Sequence, residues 1–293
     1  MPDKIWIIGC GDIGRRVARL YADQDADQNF QNTTIAGIVH SAESVSSCKK
    51  LGIDAHAIDF DQPFTLSDLP EKISSRIYYF MPPPSQGRED TRLKRFLRHL
   101  DKSKKRIVLI STSGVYGDSK GAWINEDTPP KPVAERAFRR LSAEQTLIQW
   151  AAQSGSDYMI LRVPGIYAKE RLPLARLKKG LPVVSQHEAG WTNRIHADDL
   201  ARACKASMES AHCNQIINIC DGHPSTMTDY FNQIADYAGL PRPPQISMQE
   251  AEKTLSKGML SYLKESRRIE NHKMLKLLNL QLQYPDLKSF CHR

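Results

Sequence analysis

The chain has no run of about 18 apolar residues, the length a membrane-spanning helix needs, so no such helix is expected. It has no C-x-x-C pair. Its six cysteines (Cys10, Cys48, Cys204, Cys213, Cys220 and Cys291) stand at irregular gaps. That argues against a disulfide framework and leaves free thiols in a reducing compartment as the simplest reading. Cys204, His212, Cys213, Cys220 and His223 match no structural-zinc spacing, and no metal is expected. Only Ile5-Trp6-Ile7-Ile8 is apolar after Met1-Pro2-Asp3-Lys4, against the 7–15 or so apolar residues of a secretory leader. A cytoplasmic protein is expected. Internal repeats and low-complexity tracts are also missing, and the composition excludes a disordered chain and a collagen-like repeat.

What is present is an ordinary globular composition with a basic excess. The 293 residues include 41 Lys and Arg against 33 Asp and Glu, a net charge of +8. Residues 92–106 carry +7 and residues 253–293 carry +6, so the remainder is mildly acidic at −5. No nucleic-acid motif accompanies these runs. The charge is therefore assigned to phosphate recognition and solvated helix faces rather than to DNA or RNA.

Short apolar runs, mostly β-branched or aromatic, recur at Ile5–Ile8, Thr34–Val39, Ala55–Phe60, Ile77–Met81, Ile107–Ile110, Tyr158–Val163 and Gln215–Ile219. They read as strands buried on both faces. Between them, Leu93, Phe96, Leu97 and Leu100 fall on one helical stripe, and Ala134–Gln153 carries a second. Such alternation implies an α/β fold, a Rossmann-like doubly wound parallel sheet. After about residue 165 prolines divide the chain into shorter pieces. Ile195–Ala211 reads as a loop then a helix, Thr226–Asp229 as a helix start, Gly239 as a helix end, and Ile269–Leu280 as a last helix. The polar stretch Asp23–Thr33 reads as a surface insertion. The expected division is a dinucleotide-binding domain over 1–165, with 196–221 returning to it. A smaller substrate-binding part then uses 166–195 and 222–293.

The most informative stretch is Gly9-Cys10-Gly11-Asp12-Ile13-Gly14-Arg15, directly after the first strand and opening an amphipathic helix. In that setting G-x-G-x-x-G is a dinucleotide turn. Gly9 makes the turn, Gly11 leaves room for pyrophosphate, and Gly14 lets helix and strand pack closely. The helix N-terminus faces the anion. The second strand ends in His40-Ser41 rather than in an acid, and the first carboxylate is Glu43. Nothing there repels a 2′-phosphate, and Arg15 or Arg16 is near, so NADP is preferred over NAD.

Six stations in order give the chain its resemblance to the extended short-chain dehydrogenase/reductase superfamily, the nucleotide-sugar epimerases and dehydratases. They are the Gly-rich turn, Ala57-Ile58-Asp59, Ser111-Thr112-Ser113-Gly114-Val115-Tyr116-Gly117, Leu161–Tyr167, Arg194–Leu200 and Ile217–Gly222. Among atypical members it is similar to the bacterial YeeZ-like group. The resemblance implies that Asp59 meets the adenine, that Thr112 supplies an active-site hydroxyl, and that Pro164 and Gly165 lie near the nicotinamide. It also implies that Arg194 approaches a substrate phosphate, and that the two amphipathic helices form a homodimer interface.

One departure is large. The superfamily's catalytic pair is Tyr-x-x-x-Lys, followed four residues on by a glutamate. Glu144 fits that glutamate and puts Arg140 at the lysine and Arg136 at the tyrosine. Arginine is a poor general acid or base, and no tyrosine lies between Tyr116 and Tyr158. Arg140 is expected to bind ribose or phosphate, and Arg136 to bind substrate. Tyr167, His196 and His187, with Thr112, are the candidates for proton transfer. Two readings stand. One is an NAD(P)-dependent epimerase, dehydratase or reductase that moves hydride at a hydroxyl-bearing carbon of a small molecule, with nucleotide-sugars as candidates. The other is a non-catalytic NADP(H)-binding sensor or assembly protein.

Overall fold

Strands with apolar side chains on both faces can be stable only with helices above and below them. The first strand meets that demand in full: Ile5, Trp6, Ile7 and Ile8 are all completely buried. The structure, a computed structural model, describes residues 3–25, 33–62, 73–101 and 103–292. The centre of the expected insertion, residues 26–32, and Lys102 of the basic run lie outside the described residues.

The chain runs β1 (Asp3–Ile8), α1 (Asp12–Asp25), β2 (Thr33–Val39), α2 (Ala42–Lys49), β3 (Asp54–Ala57), β4 (Arg76–Tyr79), α3 (Thr91–His99), β5 (Arg106–Thr112) and α4 (Glu135–Ser154). Strand Asp157–Val163, helix Ala197–Glu209 and strand Gln215–Asn218 complete the layered part. Seven strands form one sheet in the order 215–218, 157–163, β5, β4, β1, β2, β3, and every pairing is parallel. On one face Val17 and Tyr21 of α1 and Leu200 and Cys204 of the 197–209 helix share a core with Ile5 and Ile7. On the other face Leu93, Phe96 and Leu97 of α3 and Ala143 and Leu147 of α4 pack on Trp6 and Ile8. The chain reverses direction of travel between β1 and β4, which opens a crevice at their C-terminal ends.

Several elements differ from the sequence expectation. β3 ends at Ala57, which leaves Asp59 in the following loop, and β4 ends at Tyr79. Leu100 lies beyond α3 in an extended conformation, although it still packs on the core. A strand, Arg194–His196, precedes the 197–209 helix and pairs with Gly165–Tyr167. The last expected helix is shorter, His272–Leu278. Arg268–Ile269 is drawn into pairing with Trp123–Ile124, and Asn279 ends the helix at φ +45°.

The remaining chain forms its own cores. Leu177, Val183, Phe231 and Ile234 surround Phe290, and Val184, Ala251 and Leu263 form a second cluster.

A buried ion pair joins the layers. Arg162 and Glu144 are 3% and 2% exposed in their side chains and meet at 2.7 Å. Ser111 donates to the same carboxylate at 2.5 Å. The Arg162 guanidinium lies over the Tyr116 ring, whose hydroxyl donates to Asn218 at 2.8 Å. Removing one partner leaves an uncompensated buried charge, which costs about 3–5 kcal/mol. Glu144→Ala is therefore expected to lower unfolding free energy by that order in a denaturant titration. The double variant Glu144→Leu/Arg162→Met should recover most of it. A loss under about 1 kcal/mol for the single variant would show that the pair does not hold the layers together.

Candidate functional site

The crevice begins at the Gly-rich turn. The backbone N–H groups of Gly9 and Cys10 donate to the Ile38 carbonyl at 2.9 and 3.0 Å. Gly9 has φ +86°, and a Cβ there would lie 2.5 Å from the Met81 nitrogen. No other residue fits between the ends of β1 and β4. A Cβ on Gly14 would meet the Ile7 side chain at 2.9 Å. At Gly11 the nearest heavy atom would be 4.0 Å away. The space beside Gly11 is thus open, at the N-terminus of a 14-residue helix, as approach of a pyrophosphate requires. The residues present fit a dinucleotide.

Ile13 is buried in the core beneath the turn. Asp12 faces Arg16 at 2.9 Å and Arg171 at 2.7 Å. Burial works against its charge, but those two hydrogen bonds outweigh it and hold the carboxyl below the usual range. Arg16 also pairs with Glu170 and Asp198, which ties α1 to the start of the 197–209 helix. The Arg15 guanidinium is half-buried and has no partner among the described residues.

At the far end of the crevice Ser41 caps α2, accepting from the Ser44 N–H at 3.3 Å. The exposed His40 stands 3.9 Å from Asp59, whose carboxylate also accepts from the Asp61 N–H at 2.9 Å. A carboxylate therefore shares the position that His40 and Ser41 were expected to offer to a 2′-phosphate.

Beyond the ends of β5 and the 157–163 strand lies a cavity of about 440 Å³. It brings together Thr112, Arg136, Pro164, Gly165, Tyr167 and Arg194 from four separate segments. Thr112 accepts from the Gly114 N–H at 3.2 Å. Arg136 donates to Ser261 at 2.7 Å and stacks on Tyr262 at 3.9 Å. Arg140 is not among the lining residues. It donates to the Met81 carbonyl at 3.3 Å, which places it between the cavity and the Gly9 turn.

Arg194 is the unusual member. It is 6% exposed, donates to Ser225 at 2.8 Å and stacks on Tyr230 at 4.0 Å. Among the described residues it has no carboxylate within ion-pair distance. Burial weakens its hold on its proton, while Tyr230, Asp221 and Asp229 oppose that shift. A buried, unpaired cation facing a cavity calls for an anion. The Tyr167 hydroxyl is also buried and has no hydrogen-bond partner among the described residues. Burial, then Asp221 and Asp199, push its pKa up, so it stays protonated and can donate but not accept a proton.

His196 is placed elsewhere. Its ring is 3.7 Å from that of Tyr284 and 5.2 Å from that of Tyr167, and its Nδ1 accepts from the Asp198 N–H at 3.2 Å. It supports the helix start and Tyr167 from behind and does not line the cavity. His187 is 83% exposed in its side chain and also lies off the cavity.

Sequence reasoning missed Glu265, Tyr230, Tyr262 and Trp191 and met Arg267 only as one member of a basic run offered to phosphates; all five line the cavity. Glu265 and Arg267 pair at 2.8 Å with side chains 7% and 11% exposed. Nothing local marks them, since they sit in a segment that reads as a solvated basic run. Asp221 was visible only as part of a motif. It is buried beside Arg194, and burial pushes its carboxyl up to about 7 against the pull of the His223 N–H and Arg194.

An open Gly-rich turn at a sheet reversal, with a cavity beyond the ends of neighbouring strands, is the arrangement of a Rossmann-type fold. Residues 90–220 match the model of the NAD dependent epimerase/dehydratase family. No curated protein sequence matches the chain. Among solved structures, the chain is similar to a functionally unknown conserved protein from Silicibacter pomeroyi, with 24% identity, TM-score 0.78, and 97% and 95% of the two chains covered. A putative NAD-dependent epimerase/dehydratase from Methylobacillus flagellatus is 24% identical, with TM-score 0.68 over 99% and 96%. The UDP-glucuronic acid 4-epimerase from Bacillus cereus in complex with NAD is 19% identical, with TM-score 0.73 over 96% and 94%. At these identities the likeness establishes the fold. Together with the family match it bears out the resemblance to the extended short-chain dehydrogenase/reductase superfamily. Among the described residues no helix is long and apolar enough to cross a membrane.

Two outcomes are expected from this geometry. Gly11→Val should fold normally yet lose dinucleotide binding in a fluorescence titration, whereas Gly9→Ala should destabilise the fold by more than about 2 kcal/mol. Retained affinity in Gly11→Val would remove the turn assignment. For Asp221, the folded pKa of about 7 exceeds the ordinary 3.8. The folded state therefore holds the extra proton, and its stability is greatest at low pH and falls as pH rises through that window. Asp221→Asn should be more stable than the parent at pH 8 by a few kcal/mol and nearly equal at pH 4. Thermal melts at the two pH values that differ equally from the parent would contradict the assignment.

Proposed function

We propose that the protein is an NAD(P)-dependent oxidoreductase of epimerase or dehydratase kind. It acts at a hydroxyl-bearing carbon of a phosphate-bearing small molecule, and a nucleotide-sugar is the candidate substrate. The observation that carries this reading is Arg194, a buried cation without a carboxylate partner among the described residues, in a cavity next to the dinucleotide crevice. The lining holds Arg136, Arg194 and Arg267 against Glu265, which suits a dianion such as a diphosphate. The Bacillus cereus epimerase, which shares the fold, is described with UDP-glucuronic acid and NAD.

When bound, the nicotinamide would give or take the hydride. The rest falls to the chain. Arg194 holds the phosphate and orients the substrate. Thr112 and the protonated Tyr167 present hydroxyls to its oxygens. Arg140 binds ribose or phosphate between crevice and cavity as a fixed charge. With arginines at the positions of the usual tyrosine and lysine, the proton of a substrate hydroxyl needs another acceptor. Among the described lining residues Glu265 is the one carboxylate, and it is the acceptor we assign. NADP is preferred over NAD on the strength of Arg15, His40 and Ser41, with Asp59 opposing. Six unpaired cysteines support a reducing, cytoplasmic setting.

The non-catalytic reading rests on one observation. Arg136 and Arg140, which take the positions of the catalytic pair, are both engaged in hydrogen bonds that hold them in place. The protein would then keep its dinucleotide as a sensor or assembly element.

Titration with NADP and NAD should give the tighter constant to NADP; the reverse order would refute the preference. With cofactor bound, UDP-glucose and related nucleotide-sugars should change absorbance at the nicotinamide band. Arg194→Met should weaken their binding at least about tenfold, and Glu265→Gln should keep binding but lose turnover. Tight cofactor binding with no spectral change from any nucleotide-sugar would favour the sensor.

A further inference from the structure

Asp221 is a buried carboxyl beside a buried cation, yet the two do not pair. It is 5% exposed, and its N–H donates to the Arg194 carbonyl at 2.8 Å. The loop that carries it is tightly placed. Gly222 has φ +80°, and a Cβ there would lie 2.8 Å from the Asn271 Nδ2, which donates to the Cys220 carbonyl at 3.0 Å. The Asp221 carboxyl accepts from the His223 N–H at 2.9 Å and makes no ion pair among the described residues. Around it stand Arg194 and Tyr167 from the paired strands of the cavity wall, His223 from its own loop and Asp286 from the start of the last helix. His223 turns its Nδ1 to the Pro285 carbonyl at 2.9 Å, and Asp286 caps its helix by accepting from the Ser289 N–H at 2.7 Å. Asp229 is a further carboxylate that acts on Arg194.

Neighbouring buried groups of this kind do not titrate independently. With Asp221 neutral, Arg194 keeps its full charge for an anion. With Asp221 ionised, part of that charge is offset, and a bound anion then faces a buried negative group. We propose that Asp221 is a proton-operated control on anion binding at Arg194: the cavity takes its anion together with a proton on Asp221 and releases it when that proton leaves. Asp221 is off the cavity lining, so it acts through Arg194 without touching the ligand. Burial, then Asp286, push its carboxyl up to about 7, against the His223 N–H and Arg194, which puts the exchange near neutrality. The direction follows from linkage. An anion on Arg194 favours the protonated carboxyl, so binding takes up a proton, and affinity falls as pH rises through that range. The inference rests on Arg194 as an anion site and adds a regulation to it.

The test is calorimetry on Gly11→Val protein, whose dinucleotide turn is blocked. Its two probes, inorganic sulfate and UDP-glucose, keep a constant charge between pH 6 and pH 8. Wild-type protein saturated with NAD provides a second sulfate arm, should the variant melt early. Each probe that binds should do so about tenfold more weakly at pH 8 than at pH 6. Heats in buffers of different ionisation enthalpy should show uptake of about one proton per ligand at pH 8 and close to none at pH 6. Asp221→Asn, placed in the same background, should bind equally at both pH values, near the parent's affinity at pH 6, with no proton uptake. His223→Gln should keep the full dependence. Equal parent affinity at the two pH values, a dependence that survives Asp221→Asn, or one that His223→Gln abolishes would each overturn the control and leave Arg194 standing as an anion site. If neither probe binds at any pH, the anion reading of the cavity fails and the control with it.

Discussion

The interaction on which the rest depends is the buried Arg162–Glu144 pair. Two fully buried charges are tolerable only when their partners and hydrogen bonds hold them tightly. Here they bind α4 to the 157–163 strand, and Ser111 and Tyr116 bring in β5 and the turn after it. β5 ends on Thr112, α4 carries Arg136 and Arg140, and the strand leads into Pro164 and Gly165. One ion pair therefore sets the relative positions of most groups around the cavity. It also explains why Glu144 is where the superfamily pattern puts it while the residues four and eight positions earlier are free to differ.

Their difference changes the chemistry that is available. A lysine near a tyrosine lowers the tyrosine's pKa and makes it a base at neutral pH. An arginine at the lysine position keeps the positive charge but faces no tyrosine on the same helix. Of the cavity's tyrosines, Tyr167 is pushed the other way, first by burial and then by the carboxylates of Asp221 and Asp199. The molecule thus keeps the positive groups suited to phosphates and moves the search for a proton acceptor to the far wall, where Glu265 sits beside Arg267.

Much of this was legible along the chain. The strand runs, the Gly-rich turn and the two amphipathic helices are local patterns with local causes, and they appear within a few residues of the expected limits. The failures also have causes. Leu100 continues a helical stripe, yet the chain must leave α3 there for β5. The helix expected from Ile269 loses its first turn because Arg268 and Ile269 pair with a strand far away. His196 looked like a proton carrier because histidine suits that role. Its burial between Tyr284 and Tyr167 is a property of the packed C-terminal part alone.

The sequence by itself determined the layered α/β class, the anion-ready turn and the missing catalytic pair, because each depends on residues at fixed short spacing. The tertiary structure decided which side chains share the cavity. It also left Arg194 without a carboxylate partner among the described residues, buried Asp221 and brought Trp123 and Trp191 against Arg268. Those outcomes depend on contacts such as Asp118 with Ser266 and Trp191 with Ser266, separated by 148 and 75 residues. Burial and charge balance at such a place are sums over distant segments, so no local pattern records them.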